Sequence, residues 1–173
     1  MGVGAFASTP FEHGAISVEG GMVAPLFELS EVFDRVPMAQ GEMSFSYANG
    51  MRSQISLAYA KLTGWKKSQV EHLVGSMGLD YAVPYLHGFE IGAGIGLFFE
   101  RATSPLVQSS SAVYYQLSSN ESDFGWICRG RMPLFHFGEK TQLHLGVNYQ
   151  QIWTSPIPSR FFWIGIGVGV ALW

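Results

Sequence analysis

The chain has 173 residues, with 10 Lys or Arg against 13 Asp or Glu and a formal net charge of −3. Charged residues make up 13% and apolar ones 47%, where about a quarter charged is ordinary for a soluble domain. This composition excludes a disordered chain, which could not keep so much apolar surface in water. The absence of a Lys/Arg block excludes a basic nucleic-acid binder, and the length suits a single domain over 1–173.

A membrane-spanning helix needs about 18 apolar residues, and the longest apolar run, FFWIGIGVGVALW at 161–173, has 13. The opening MGVGAFASTPFEH has no basic start and no long apolar centre, so it does not read as a signal peptide. What recurs instead is alternation of period two, the mark of strands with unlike faces. Taken in chain order, strands are expected near 14–26, 42–49, 52–62, 70–83, 87–101, 123–135, 140–153 and 160–172. Asn49-Gly50, the strongest two-residue hairpin signal, joins the second to the third. A short turn over 83–88 joins the fourth to the fifth, and Phe137-Gly138-Glu139-Lys140 joins the sixth to the seventh. Longer, more polar connections fall between these, at 27–41, 63–69, 102–123 and 154–159. AVYYQL at 112–117 reads as a separate strand or as an external extension of its neighbours. Pairing of 2–9 would raise the count from eight strands to ten.

The two faces differ in kind. Within 85–101, Tyr85, His87, Phe89, Ile91, Ala93, Ile95, Leu97 and Phe99 share one parity. Leu86, Gly88, Glu90, Gly92, Gly94, Gly96, Phe98 and Glu100 share the other. Leu143, Leu145, Val147 and Tyr149 oppose Gln142, His144, Gly146, Asn148 and Gln150. Ile164, Ile166 and Val168 oppose Gly165, Gly167 and Gly169. A soluble barrel would turn its bulky face inward and coat the outside with charge. Here the second face is too small and too uncharged for a solvent coat, and it suits a narrow interior. Apolar-out, small-and-polar-in alternation predicts an all-β, antiparallel, up-and-down transmembrane β-barrel. Short and long connections alternate, which puts both termini on the periplasmic side.

The chain resembles the small eight-stranded outer-membrane β-barrels, the group of the OmpA transmembrane domain and OmpX. The likeness covers about 14–173 and rests on strand pattern, turn alternation and the terminal strand FFWIGIGVGVALW with its final aromatic, Trp173. In phase, Trp173 goes with Gly169 and Ala171 rather than with Val170 and Leu172. The resemblance implies a bacterial outer-membrane location, outer-membrane lipids as surroundings and insertion by the barrel-assembly machinery.

On this parity the interior receives Glu19, Asp80, Glu90, Glu100, Arg129, Arg131, Gln142, His144, Asn148 and Gln150. Eight strands leave an interior that side chains fill, and charges inside must pair. Arg129 and Arg131 are therefore expected to bridge Glu90, Glu100 or Glu19, giving a polar plug rather than a channel. The glycines opposite are read as room for large side chains such as Phe98, Tyr114 or Trp163 to fold across. Tyr47, Tyr59, Tyr81, Phe124, Trp126, Trp153 and Trp163 fall toward strand ends, as interfacial girdles do. Cys128 shares the parity of Phe124 and Trp126 and is expected to face lipid; as the only Cys it forms no internal disulfide.

No catalytic residue, metal site or cofactor is predicted. His72 and Ser76 share the inward parity, His87 lies on the apolar parity, and His13 and His136 fall near strand ends. None of these makes the pairing of a lipid-modifying hydrolase or a metal-ligand spacing. The expected role is a structural or surface-interaction protein, or an accessory subunit of an envelope complex. Recognition would be carried by 27–41 and by the Ser-rich 102–123. The rival readings are a lipid A deacylase or acyltransferase on the same fold, a soluble lipocalin-like carrier, and a pore.

Overall fold

The computed structural model describes residues 11–31, 33–64, 69–83, 85–86, 88–103, 107–108, 114–115, 118–153 and 159–173. Its strands are β1 (Phe11–Pro25), β2 (Val36–Tyr47), β3 (Met51–Thr63), β4 (Gln69–Ala82), β5 (Glu90–Thr103), β6 (Val107–Gln108), β7 (Tyr114–Tyr115), β8 (Ser118–Phe137), β9 (Thr141–Ile152) and β10 (Ser159–Ala171). Eight of them close an antiparallel barrel in the order β1-β10-β9-β8-β5-β4-β3-β2, while β6 and β7 form a separate two-stranded ribbon. The expected eight-stranded wall is therefore present. Part of 112–117 is a piece of that outlying ribbon, and 2–9 lies outside the described residues.

Each short turn is made by a residue with positive φ. Gly50 (φ 78) donates its N–H to Tyr47 O, and Asn49 Oδ1 accepts from Met51 N, in a three-residue link over 48–50. Gly138 (φ 70) serves the β8–β9 link. In the β4–β5 link, Tyr85 (φ 77) and Gly88 (φ 83) both adopt it, and Val83 N donates to Phe89 O. These turns and the C-terminus share one end of the barrel, called here the turn end; the other is the loop end.

The boundaries moved where a strand leaves the two-faced pattern. β2 begins at Val36, not 42, because its outward residues there are Pro37, Ala39 and Gly41, too small to mark an apolar face. β5 begins at Glu90, not at 87, and Gly88 and Phe89 precede it in the turn. β8 begins at Ser118: the polar SSNES stretch pairs in register with Phe99–Thr103 and carries the wall beyond its apolar part. The connections expected at 27–41 and 102–123 shrink to 26–35 and 104–117. The first of these holds a 3-10 turn, Phe27–Glu31, in which Ser30 Oγ donates to Phe27 O.

The bulky row faces out. Ile91, Ile95, Ile55, Met77, Ile166 and Val168 are all exposed, at 44–61%, whereas Asn148, Gln150, Gln54 and Glu42 are buried inside. On β5 the outward apolar run goes from Ile91 to Phe99, bounded above by exposed Arg101. At about 3.3 Å per residue and a tilt near 40°, that run is roughly 20 Å tall. The longer run on β10, Phe162 to Leu172, gives roughly 25 Å by the same arithmetic, the height of a barrel's lipid-facing band. Above it, register sets Lys61, Glu71, Arg101 and Asn120 in one row. A lipocalin-like carrier would have the opposite sidedness.

Candidate functional site

The interior divides into two halves. Toward the loop end it is apolar: Phe98, Trp163, Phe161, Ile127, Leu62 and Val23 are buried with other small aliphatics in one cluster. Trp163, expected both in a girdle and folded across inward glycines, takes the second place and belongs to this plug. β10 turns its odd residues inward, and the indole lies over Gly165 and Gly21, where any added Cβ would strike it. Phe98 does the same across Gly96 and Gly125. The side chain of Tyr114 lies outside the described residues.

Toward the turn end the interior is a network of charge. Arg131 grips Glu42 with two bonds, Nη1 to Oε1 at 2.9 Å and Nη2 to Oε2 at 2.6 Å, and reaches Glu19 Oε1 at 3.1 Å. His144 Nε2 meets the same Glu19 oxygen at 2.5 Å. Arg52 Nη2 pairs with Asp80 Oδ2 at 2.9 Å and with Glu90 Oε2 at 2.5 Å, and Gln54 Nε2 donates to Asp80 Oδ1. Arg129 Nη2 donates to Ser76 Oγ at 2.5 Å, and Ser76 and Ser56 share a hydrogen bond. Such two-pronged guanidinium–carboxylate contacts fix direction as well as charge.

The sequence placed these residues on the correct face but mispaired them. Of the bridges expected, only Arg131–Glu19 forms; Glu90 goes to Arg52, and Glu100 goes to His72 at 2.8 Å. Arg129 takes hydroxyls, not carboxylates. Glu42, Arg52, Gln54 and Ser56 were missed, although the alternation Gln54, Ser56, Ala58, Ala60 on β3 marks their inward face. Gln142, half-buried, donates to His136 near the turn end.

His72 is buried against Phe161 and Phe98, with ring centroids 4.8 and 5.8 Å away. Ser76 points inward on the same strand but belongs to the Arg129 cluster, so the two are engaged separately. His87 lies outside the described residues. Cys128 is exposed on the outer face. Trp173 leaves the strand's phase: β10 ends at Ala171, and the indole lies over Gly14, 6.5 Å from Phe45 on the outer surface. No group of described residues has the make-up of a metal centre. Within the charged half the space bounded by Glu19, Asp80, Glu90, Arg129, Arg131 and Asn148 amounts to about 10 Å³, room for about one water.

No protein-family profile matches the chain, and no curated protein does. Solved structures do. Neisserial surface protein A aligns with a TM-score of 0.59 at 13% identity, covering 91% of this chain and 96% of that one. Ail, the attachment invasion locus protein of Yersinia pestis, aligns at 0.59 and 8% identity, covering 91% and 97%. The outer membrane protein AlkL, solved in lipid bilayers, aligns at 0.54 and 11% identity, covering 99% and 96%. The chain thus has the fold of the small eight-stranded outer-membrane barrels.

Proposed function

We propose that the protein is an integral barrel of the bacterial outer membrane that acts through what it presents at the loop end, as a surface-interaction protein or an accessory subunit of an envelope complex. Both termini lie in the periplasm, the barrel is surrounded by outer-membrane lipid, and insertion is by the barrel-assembly machinery. The observation that carries this reading is the pairing of an apolar exterior band with a loop-end interior packed by Phe98, Trp163, Phe161 and Leu62. The outer face is committed to hydrocarbon, and buried apolar side chains fill the loop-end half of the interior. The parts left to meet other molecules are the connections at 26–35 and 104–117, with Phe27 exposed and Arg160 stacked 4.8 Å over its ring.

The test has two arms. Detergent-extracted protein is expected to change gel mobility on boiling, as folded barrels do, and to give no steady conductance in planar bilayers. On intact cells, tags placed within 26–35 and 104–117 are expected to be accessible to antibody, while tags at the termini are not. Accessible termini with protected loops would reverse the orientation. An altered lipid A acyl count on expression would replace this role with an enzymatic one.

A further inference from the structure

Two depressions lie end to end on the outer wall over β3, β4 and β5. The upper, of about 340 Å³, straddles the loop-end edge of the apolar band. Its lower lip is Tyr59, Leu73 and Phe99, neighbours in register and all exposed. Its upper lip is Glu71, Arg101 and Asn120, from the polar row that Lys61 continues on β3. The next outward residues down β4 and β5 are Gly75 and Leu97, and these line the lower depression, an apolar furrow of about 670 Å³. Met43, Ile55, Met77 and Ile95 wall it.

The furrow is deep because two outward residues have no side chain. An added Cβ at Gly41 or Gly75 would meet nothing within 4 Å, whereas the outward Gly130 is already covered by Val147 and Phe89. A glycine inside a strand weakens it and often marks where a ligand comes close to the backbone. From Glu71 to Met77 along β4, at about 3.3 Å per residue and a tilt near 40°, the two depressions together span about 15 Å of height. That is one leaflet's share of a hydrocarbon core about 30 Å thick. The charges at the upper end alternate in sign: Lys61, Glu71 and Arg101 are neighbours in register, and Glu121 borders the same space. Among the described residues none of these four makes an ion pair, while Glu100, which also borders it, is taken by His72. Two cations against two free carboxylates suit a ligand that carries both signs rather than an anion.

We propose that the paired depressions hold one zwitterionic phospholipid, of the phosphoethanolamine class. Its phosphate lies between Lys61 and Arg101, its ammonium meets Glu71 and Glu121, and one acyl chain lies in the furrow over Gly75 and Gly41. The charges at the rim give the headgroup its direction, and the glycines give the chain its depth. The inference rests on the reading of this wall as lipid-facing, and adds that one lipid is selected from the rest.

The experiment refolds the barrel into vesicles of equimolar phosphatidylethanolamine and phosphatidylglycerol, extracts it in mild detergent and counts the retained lipids by native mass spectrometry. A single retained phosphatidylethanolamine is expected, enriched about tenfold over phosphatidylglycerol, the scale of one charged hydrogen bond. Glu71→Lys makes the rim cationic and should reverse the preference. Gly75→Leu fills the furrow and should lower retention of either lipid about tenfold, the scale of two buried methylenes. Both positions face outward, and mobility on unboiled gels shows that each variant is folded. A folded parent that retains no lipid or takes both equally, or a folded Glu71→Lys that keeps the parent's preference, overturns the proposal. Failure of the parent to insert into the vesicles at all would instead overturn the membrane reading beneath it.

Discussion

Ile95→Arg puts the outward face to its hardest trial. Ile95 is 57% exposed at the middle of β5, with Met77 and Trp126 beside it in register. It is four residues from Ile91 and four from Phe99, the ends of the apolar run. At about 3.3 Å per residue and a tilt near 40°, about 10 Å of hydrocarbon separates it from either edge. An arginine on the lipid face costs about 2–4 kcal/mol at the bilayer midplane and about 0–1 near the interface. Ile95→Arg should therefore lose 2–4 kcal/mol and Phe99→Arg no more than about 1. Equilibrium urea unfolding in phospholipid vesicles, followed by the fluorescence of the five tryptophans, reads both. In a water-soluble barrel the same exposed site would change stability by no more than about 0.5 kcal/mol. Equal stability of Ile95→Arg and the parent, or a variant that stays dispersed without detergent, would refute the assignment of this face to lipid.

Three other outcomes follow from the interior, the β1–β10 seam and the outer face. Arg131→Met strands Glu19 and Glu42 without their cation and should cost about 3–5 kcal/mol, largely recovered when both acids become Gln; urea midpoints of the single and triple variants check it. Adjacent glycines should respond with opposite sign. Gly21→Ala would drive a methyl into the β10 backbone and toward Trp163 Nε1, 2.7 Å away, costing about 1–3 kcal/mol. Gly20→Ala meets nothing within 4 Å and should gain about 0.5–1 kcal/mol by restricting the unfolded chain. Cys128, exposed on the outer face among apolar neighbours, should resist a charged, membrane-impermeant maleimide in vesicles and react with an apolar one. Rapid labelling by both reagents would place the thiol in water.

The faces of the strands were legible because lipid and lumen make opposite demands at every second residue. The turns were legible because Gly50, Gly88 and Gly138 occupy the positive-φ positions such links require. What the sequence could not reveal lies where a single demand lapses. Ser118–Ser122 reads as loop because, above the apolar band, a strand needs no greasy face. Pro37, Ala39 and Gly41 hide the start of β2 for the related reason that small residues satisfy lipid without announcing it. Toward the loop end both faces are apolar, as in Leu57, Ala58, Tyr59 and Ala60, so the alternation fades there, and it was the inward glycines that revealed Phe98 and Trp163 folding across the lumen. Pairing inside the barrel was the least accessible. Arg131 and Glu42 are 89 residues apart and meet across the lumen, a contact fixed by closure and register rather than by local spacing.

That cross-lumen network has a consequence for register. Slipping a strand by one residue would exchange its faces, turning Arg129 and Arg131 into hydrocarbon at about 2–4 kcal/mol each toward the bilayer centre. Slipping by two would keep the faces but separate Arg131 from Glu42 and Arg52 from Asp80, leaving buried charges unpaired. Apolar contacts tolerate such shifts, since one aliphatic residue replaces another at little cost. The directional half of the interior can therefore specify a single closure among near-equal alternatives, while the apolar half seals it. This division fits the placement of the charges: they gather near the short turns, where three hairpins and the β1–β10 seam must settle on one alignment, and they thin out toward the longer connections, where Phe98 and Trp163 fill the space.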